Sequence, residues 1–134
     1  MKPVELVQVV EASGGVLSVS DGRLHVEVPD QSAHLLPDLR TQRHEVAQVL
    51  QQRLADALRR WMDGECVATR LCSSSLKFLH REFGAWSRIQ CGRDAFGAAL
   101  VACGFGLAED GMVEGLALRR DVGAALDYER ERRI

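Results

Sequence analysis

The sequence predicts an α+β protein in which one long helix joins two small lobes, residues 1–56 and residues 57–134. Three patterns indicate this fold class. Polar and apolar residues alternate on both sides of Asp21-Gly22, which is a strong signal for a β-hairpin. Apolar residues recur at helical spacing over Val46–Met62, which predicts a helix of about 20 residues. Two further helices and a second strand pair are expected over Ser73–Leu118.

The first lobe is expected to contain a helix, a hairpin and two helices in chain order. Apolar residues within Val4–Val10 predict the short first helix. Period-two alternation predicts the strands Val16–Val19 and Leu24–Val28. Pro29 ends the second strand because proline has no backbone N–H to donate. A short helix over Leu35–Gln42 leads into the long helix, whose first turns close this lobe and whose end packs in the second.

The second lobe is expected to open with a helix after Ser73–Ser75, because a serine side chain accepts a hydrogen bond from the first turn of a helix. This helix is expected to end near Arg88. Its buried stripe is predicted from helical spacing to comprise Leu76, Leu79, Phe83 and Trp86.

The next helix is expected to begin at Arg93 and to close at Gly104, since glycine adopts the left-handed conformation without steric cost. Its predicted buried face comprises Phe96, Leu100 and Cys103. Two short strands, Phe105–Leu107 and Met112–Leu118, are expected to follow, and Gly115 allows a bend or bulge in the second. Two helices joined by a short turn and followed by a β-ribbon describe a winged helix-turn-helix.

The N-terminal pattern resembles a known docking module. The segments VELVQVVEASGGVLSVSDGRLHVEVP and LLPDLRTQRHEVAQVL are similar to the TubC-type N-terminal docking domain over residues 3–50. The resemblance implies that the hairpin receives the C-terminal tail of a partner protein, usually as an added strand. The chain departs from the family at Arg43-His44-Glu45, where a lysine is common. A winged helix also stands in place of a synthetase domain, which favours a mobile-element protein over an assembly-line component.

The C-terminal pattern resembles a different family. Trp86, the segment RDAFGAALVACGF and a short wing ending in GLAL are similar to the C-terminal winged-helix domain of phage and plasmid primase–helicases. This resemblance covers Trp61–Leu118. The helicase core of that family is absent from this sequence, so the resemblance implies no ATPase or primase activity.

Charge is distributed unevenly between the lobes. The formal net charge is −2. The composition, with 46% hydrophobic and 27% charged residues, excludes a disordered chain. Residues 1–56 carry five Lys and Arg against eight Asp and Glu, whereas residues 57–134 carry twelve against eleven. The second lobe is therefore closer to a DNA binder, although it is no basic domain.

A last helix is expected from Asp121, followed by the charged end Glu129–Arg133.

The cysteines and the N-terminus predict a cytoplasmic protein with no membrane contact. Four cysteines occur without a CxxC pair, which favours reduced and mostly buried thiols over a zinc site. No signal peptide and no apolar run of about 20 residues are found. No catalytic residue, metal site or cofactor is expected, because phosphate-binding glycine loops and a nucleophile elbow are missing.

Arg93 is the leading candidate for contact with DNA, because it lies at the start of the predicted recognition helix. The further candidates are Lys77, Arg81, Arg88, Arg119 and Arg120. Small residues at Gly97, Ala98, Ala99 and Ala102 cannot make bidentate base contacts, so binding would be directed at the phosphate backbone. The alternative is that these arginines are solvated surface and the winged helix binds protein.

The hairpin is the candidate site for a protein partner, because an open strand edge can accept an extended peptide. The candidate docking residues are Val16, Val19, Arg23, His25 and Val26, with Arg23 and His25 suited to an acidic tail. The alternative is that the hairpin only covers the helices.

These features together predict a nonenzymatic DNA-associated accessory protein of a phage or integrative element, with the winged helix on DNA and the N-terminal lobe docking a protein. The alternative is a protein-binding adaptor or inhibitor with no DNA contact, for example one that acts on a host defence or replication complex. DNA binding predicts that Arg81, Arg88, Arg93 and Arg119 cluster on one face. The adaptor predicts scattered arginines and an apolar or acidic groove. The oligomeric state, including a homodimer, is left open.

Overall fold

The computed structural model describes residues 1–122, and the α+β fold class is confirmed over this part of the chain. Two antiparallel sheets, one of two strands and one of three, accompany the helices. Residues 119–122 form a helical turn, and the remainder of the predicted C-terminal helix and the charged end lie outside the described residues. Among the described helices, none has both the length and the apolar character needed to cross a bilayer.

The N-terminal lobe is built from helix α1 (Pro3–Ala12), strands β1 (Val16–Ser20) and β2 (Arg23–Glu27), helix α2 (Leu36–Thr41) and the first half of α3 (Arg43–Glu65). A short 3₁₀ helix precedes α2. The hairpin turn places Asp21 at φ 54° and Gly22 at φ 70°, as a two-residue hairpin turn requires. The predicted hairpin is therefore confirmed, with Ser20 opposite Arg23 and Val16 opposite Glu27.

The C-terminal lobe continues with strand β3 (Cys66–Ser75), helices α4 (Leu76–Ser87) and α5 (Arg93–Ala102), and strands β4 (Gly106–Leu107) and β5 (Met112–Leu118). The strands form an antiparallel sheet in the order β3-β5-β4. The register between β3 and β5 breaks where Gly115 lies at φ 87°, between the pairs Ala68–Leu116 and Ser73–Glu114. The bulge expected at Gly115 is thus confirmed.

The boundaries of α4 and α5 follow the expected local signals. The Ser75 hydroxyl accepts a hydrogen bond from the backbone N–H of Phe78 at 3.0 Å, so Ser75 caps α4. Helix α4 ends at Ser87, close to the predicted end, and Arg88 is its C-cap with a left-handed backbone at φ 59°. Gly104 follows α5 at φ 98°, which confirms the predicted stop.

Helix α3 contributes to two separate hydrophobic clusters, as predicted. The N-terminal cluster comprises Leu6, Val7, Val10, Leu17, Leu35, Leu39 and Val46. The C-terminal cluster contains Leu54, Ala57, Leu58 and Trp61 from α3, together with Phe83, Phe96 and residues of β5. The Trp61 ring lies 5.4 Å from the Phe83 ring and 6.2 Å from the Phe96 ring in edge-to-face arrangements, which favour aromatic contact.

Three predictions about burial are wrong. Trp86 is 45% exposed, because it lies in the last turn of α4 beside a surface depression instead of over the core. Cys103 is exposed, because it forms the C-cap of α5 beyond the packed turns. The thiols are not mostly buried, since Cys66 is buried, Cys72 and Cys91 are half-buried, and all four cysteines are free.

Candidate functional surfaces

The outer edge of β2 presents backbone groups that the hairpin does not use. The Val19 carbonyl accepts a hydrogen bond from the Gly92 N–H at 3.4 Å, so Val19 and its partner Leu24 direct their backbone groups away from each other. Such pairs alternate with hydrogen-bonded pairs along an antiparallel ladder. The pair Leu17–Val26 lies two positions further along the ladder, so it is also a pair without mutual backbone hydrogen bonds. The N–H and C=O groups of Leu24 and Val26 therefore point outward from the hairpin.

A groove with a volume of about 450 Å³ runs beside this edge and is called the basic groove. Its floor is apolar and comprises Leu24, Val26, Leu36, Leu39 and Ala47. Its rim is basic and comprises Arg23, Arg40, Arg43 and His44. All four rim side chains are exposed, and none forms an ion pair with a residue in 1–122. The basic groove thus combines an open strand edge, an apolar floor and positive charge that has no acidic partner among the described residues.

The predicted docking residues divide between the two strand edges. Arg23 and Val26 line the basic groove, and His25 is exposed on the other face of β2. Val16 and Val19 instead line a second groove along β1. The sequence prediction missed the contribution of α2 and the start of α3, Leu36, Leu39, Arg40, Arg43 and His44. The cluster of Arg40, Arg43 and His44 was visible in the sequence, but its position beside β2 depends on tertiary packing.

The second groove has a volume of about 590 Å³, lies between the lobes and is called the inter-lobe groove. It is bounded by β1, the middle of α3, the turn between α4 and α5, and one face of α5. Ala95, Ala98 and Ala99 form its α5 wall. The small residues of the predicted recognition helix therefore face this groove in part.

Asp94 joins the two lobes at one end of the inter-lobe groove. Its carboxylate accepts hydrogen bonds from the Ser20 hydroxyl at 3.1 Å and from the Asp21 backbone N–H. The hydrogen bond from the Asp21 N–H is the main reason that the pKa of Asp94 lies below its ordinary value. Gly92 permits this close approach, because a Cβ there would lie 2.4 Å from Asp94 Oδ1 and 2.7 Å from Ser20 Oγ.

The predicted DNA-contact residues separate into two groups. Lys77 and Arg81 are exposed and share one face of α4 by their spacing of four residues, whereas Arg88 is exposed at the C-cap, where its left-handed backbone leaves the helical path. The Arg81 guanidinium also lies 5.7 Å from the centre of the Phe78 ring. Arg93 is exposed at the start of α5.

Arg119 and Arg120 are engaged in contacts within the C-terminal lobe. The Arg119 guanidinium donates to the Asp63 carbonyl at 3.2 Å and to the Cys66 carbonyl at 3.4 Å, which ties β5 to the end of α3. The Arg120 guanidinium lies 2.9 Å from the Glu82 carboxylate. Glu82 is five residues after Lys77, so these positions point about 140° apart around α4. Arg120 therefore lies away from the face of α4 that carries Lys77.

The turn between β4 and β5 is acidic. Glu109, Asp110 and Glu114 are exposed, and none forms an ion pair within residues 1–122. The exposed apolar residues Val101 and Leu107 lie on α5 and β4 nearby in the chain. The negative charge of this surface repels phosphate.

The cysteines and histidines show no arrangement for metal binding or nucleophilic chemistry over residues 1–122. His80 Nε2 hydrogen-bonds the Cys91 carbonyl at 2.8 Å, which joins α4 to the turn before α5. Burial raises the pKa of the Cys66 thiol to about 12 and that of Cys91 to about 11. Both thiols are therefore protonated near neutral pH and are poor nucleophiles.

Comparisons with protein-family models, with curated proteins and with solved structures find no match to this chain. The two family resemblances of the sequence thus stay predictions.

Proposed function

We propose that this protein is a nonenzymatic adaptor that captures an extended, acidic segment of a partner protein in the basic groove. The observation that carries this proposal is the coincidence of three features at one place. The outer edge of β2 offers backbone donors and acceptors, the floor beside it is apolar, and Arg23, Arg40, Arg43 and His44 surround it. An added strand satisfies all three features at once.

The alternation of side chains along a strand defines the ligand. In a strand paired with β2, every second side chain lies on the same face as Leu24 and Val26, over the groove floor, and suits an apolar residue. Acidic side chains near Arg40 and Arg43 form charge-assisted contacts at the rim. Because the rim is exposed, these charges contribute most to association rate and specificity, and salt weakens them.

The C-terminal lobe is proposed to be a winged helix, with β3, α4, α5 and the β4–β5 ribbon following α3. In the adaptor this lobe contacts protein. The internal contacts of Arg119 and Arg120 and the exposed acidic residues Glu109, Asp110 and Glu114 support that role.

A binding experiment with labelled peptides tests the adaptor. A short peptide in which glutamate alternates with valine is compared, by fluorescence anisotropy, with the same peptide carrying glutamine in place of glutamate. We expect the acidic peptide to bind more tightly and to lose affinity with added salt. The double variant Arg40→Glu with Arg43→Glu should abolish the preference. Arg43 is the first residue of α3, where a negative charge favours the helix, so this variant should fold.

The matched control is Arg59→Glu with Arg60→Glu, which makes the same charge change at exposed positions of α3 outside the basic groove. It should bind the acidic peptide nearly as well as the unmodified protein. Equal affinity for the acidic and the neutral peptide, or equal loss in both double variants, would rule out the basic groove as the acidic docking site.

DNA binding is the second candidate function, favoured by the shared face of Lys77 and Arg81 on α4. Anisotropy of labelled duplex and single-stranded DNA across a salt series tests it. Salt-sensitive binding that is reduced in Lys77→Ala, Arg81→Ala and Arg93→Ala would establish a phosphate-directed surface. No binding at low salt and micromolar protein would remove this candidate and leave the adaptor unaffected.

A further inference from the structure

The inter-lobe groove has the size and lining of a small-molecule site. Its volume of about 590 Å³ lies within the range of about 300–1,000 Å³ that is usual for such sites. Leu50 and Leu54 of α3 and Ile89 of the α4–α5 turn provide apolar surface. Ala95 and Ala98 project only a methyl group from α5, so this helix leaves the groove open. The space suits an apolar chain.

One of the cationic side chains in the inter-lobe groove has no ion-pair partner within residues 1–122. Four charged side chains line it, Glu11, Arg53, Arg88 and Asp94. Glu11 and Arg53 form an ion pair at 2.7 Å, and Asp94 accepts hydrogen bonds from Ser20 and Asp21. Arg88 forms no ion pair with a residue in 1–122. The formal charge of the groove is zero, but Arg88 has no carboxylate partner within residues 1–122, so its guanidinium can pair with an anionic ligand.

The outer edge of β1 adds a hydrogen-bonding requirement. Leu17 lines the inter-lobe groove and, two residues before Val19, turns its backbone N–H and C=O to the same side. No described residue hydrogen-bonds these two groups from that side. A plain hydrocarbon chain would cover them without replacing the hydrogen bonds that they make to water, which is unfavourable. An amide N–H with a carboxylate one carbon away meets both groups, because the N–H can donate to the Leu17 C=O and a carboxylate oxygen can accept from the Leu17 N–H.

We propose that the inter-lobe groove binds a small amphipathic anion of the N-acyl amino acid class. The acyl chain lies between α3 and α5, the amide N–H donates to the Leu17 C=O, and the carboxylate accepts from the Leu17 N–H and from the Arg88 guanidinium. This site is separate from the basic groove, so it does not depend on the proposed adaptor function.

The backbone of Arg88 offers a variant that separates binding from folding. Arg88 has φ 59° and ψ 15°, a left-handed conformation that is disfavoured for residues with a Cβ and free of steric cost for glycine. Arg88→Gly therefore removes the guanidinium and also removes the steric cost of the left-handed backbone. We expect this variant to melt at the same temperature as the unmodified protein or higher.

Calorimetric titration of the full chain tests the proposal with two matched probes, N-decanoylglycine and the neutral N-decanoylglycinamide, both below their micellar concentrations. The acid should bind about tenfold more tightly than the amide, because it adds a charge-assisted contact. In Arg88→Gly the affinity for the acid should fall to that for the amide. Arg81→Ala, on the same helix but outside the groove, should retain the tenfold preference.

A variant that fills the groove gives the second readout. Ala98 is exposed on the α5 wall, so Ala98→Phe should block both probes without altering the core. Absence of binding by both probes, equal affinity of the unmodified protein for acid and amide, or an unchanged preference in Arg88→Gly would each overturn the proposal.

Discussion

At the scale of single residues, Asp94 has the clearest structural role. It belongs to the first turn of α5, yet its carboxylate is hydrogen-bonded by Ser20 and by the Asp21 N–H of the hairpin, more than seventy residues earlier in the chain. Its position after Gly92 suggested only the start of a helix. The distant hairpin partner could not be read from the sequence, because nothing local specifies which loop approaches a helix N-terminus.

The lowered pKa of Asp94 predicts an acid-dependent loss of stability. A carboxyl whose folded pKa lies below its unfolded pKa stabilises the fold above the unfolded value, and this contribution is lost as the pH falls through the folded value. We therefore expect Asp94→Asn to be less stable than the unmodified protein at pH 7. The difference should shrink below about pH 4.

Urea denaturation at pH 7 and at lower pH measures this effect. Asp63→Asn is the control, because Asp63 is exposed and its carboxylate makes no hydrogen bond to a residue in 1–122. A difference between Asp94→Asn and the unmodified protein that stays constant with pH would contradict the role given to the carboxylate.

At the scale of elements, the hairpin shows what the sequence reveals and what it hides. Alternation and Asp21-Gly22 define the strands and the turn correctly. The two patterns do not indicate which edge of the hairpin is open, and in the structure the start of α5 covers part of the β1 edge.

Strand β3 is not predicted from the sequence, because it depends on pairing with a distant strand. Its sequence, CVATRLCSSS, has too few apolar residues at period two to indicate a strand, and it depends on pairing with β5.

The alternation of backbone groups along β2 predicts opposite effects for proline at adjacent positions. The Val26 N–H points outward, so Val26→Pro should keep the hairpin while removing a donor that the partner strand needs. The His25 N–H pairs with β1 at Ser18, so His25→Pro should destabilise the hairpin itself.

Circular dichroism melting and peptide anisotropy together distinguish the two variants. Val26→Pro is expected to melt close to the unmodified protein and to lose most of its affinity for the acidic peptide. If Val26→Pro binds the peptide normally while folded, strand addition at β2 is not the binding mode.

At the scale of the whole molecule, α3 packs into both small cores. Its first turns supply Val46 to the N-terminal cluster, and its later turns supply Leu54, Leu58 and Trp61 to the C-terminal cluster. The long apolar period of the sequence predicted this arrangement correctly. The distribution of charge over the surface was not predictable in the same way, since the positions of Arg119 and Arg120 depend on where β5 meets α3 and α4.

Because α3 packs in both cores, a substitution that destabilises the N-terminal core should also lower the urea midpoint of the C-terminal lobe. Leu6 is fully buried in the N-terminal cluster, so Leu6→Ala should cost about 2–5 kcal/mol of unfolding free energy. Both tryptophans, Trp61 and Trp86, lie in the C-terminal lobe, and their fluorescence should report the lower urea midpoint.

The control for this prediction is Leu71→Ala, since Leu71 is 78% exposed and its loss should leave the midpoint nearly unchanged. An unchanged tryptophan transition in Leu6→Ala, with an earlier loss of helical signal, would mean that the lobes unfold separately.

Amide hydrogen exchange of the protein, alone and with the acidic peptide, tests the adaptor most directly. The N–H groups of Leu24 and Val26 face outward from the hairpin and should exchange quickly in the free protein. Peptide binding should protect these two amides strongly, whereas the amides of Ser18 and His25, already paired within the hairpin, should change much less. Protection that appears elsewhere and leaves Leu24 and Val26 unprotected would contradict capture of the peptide as a strand beside β2.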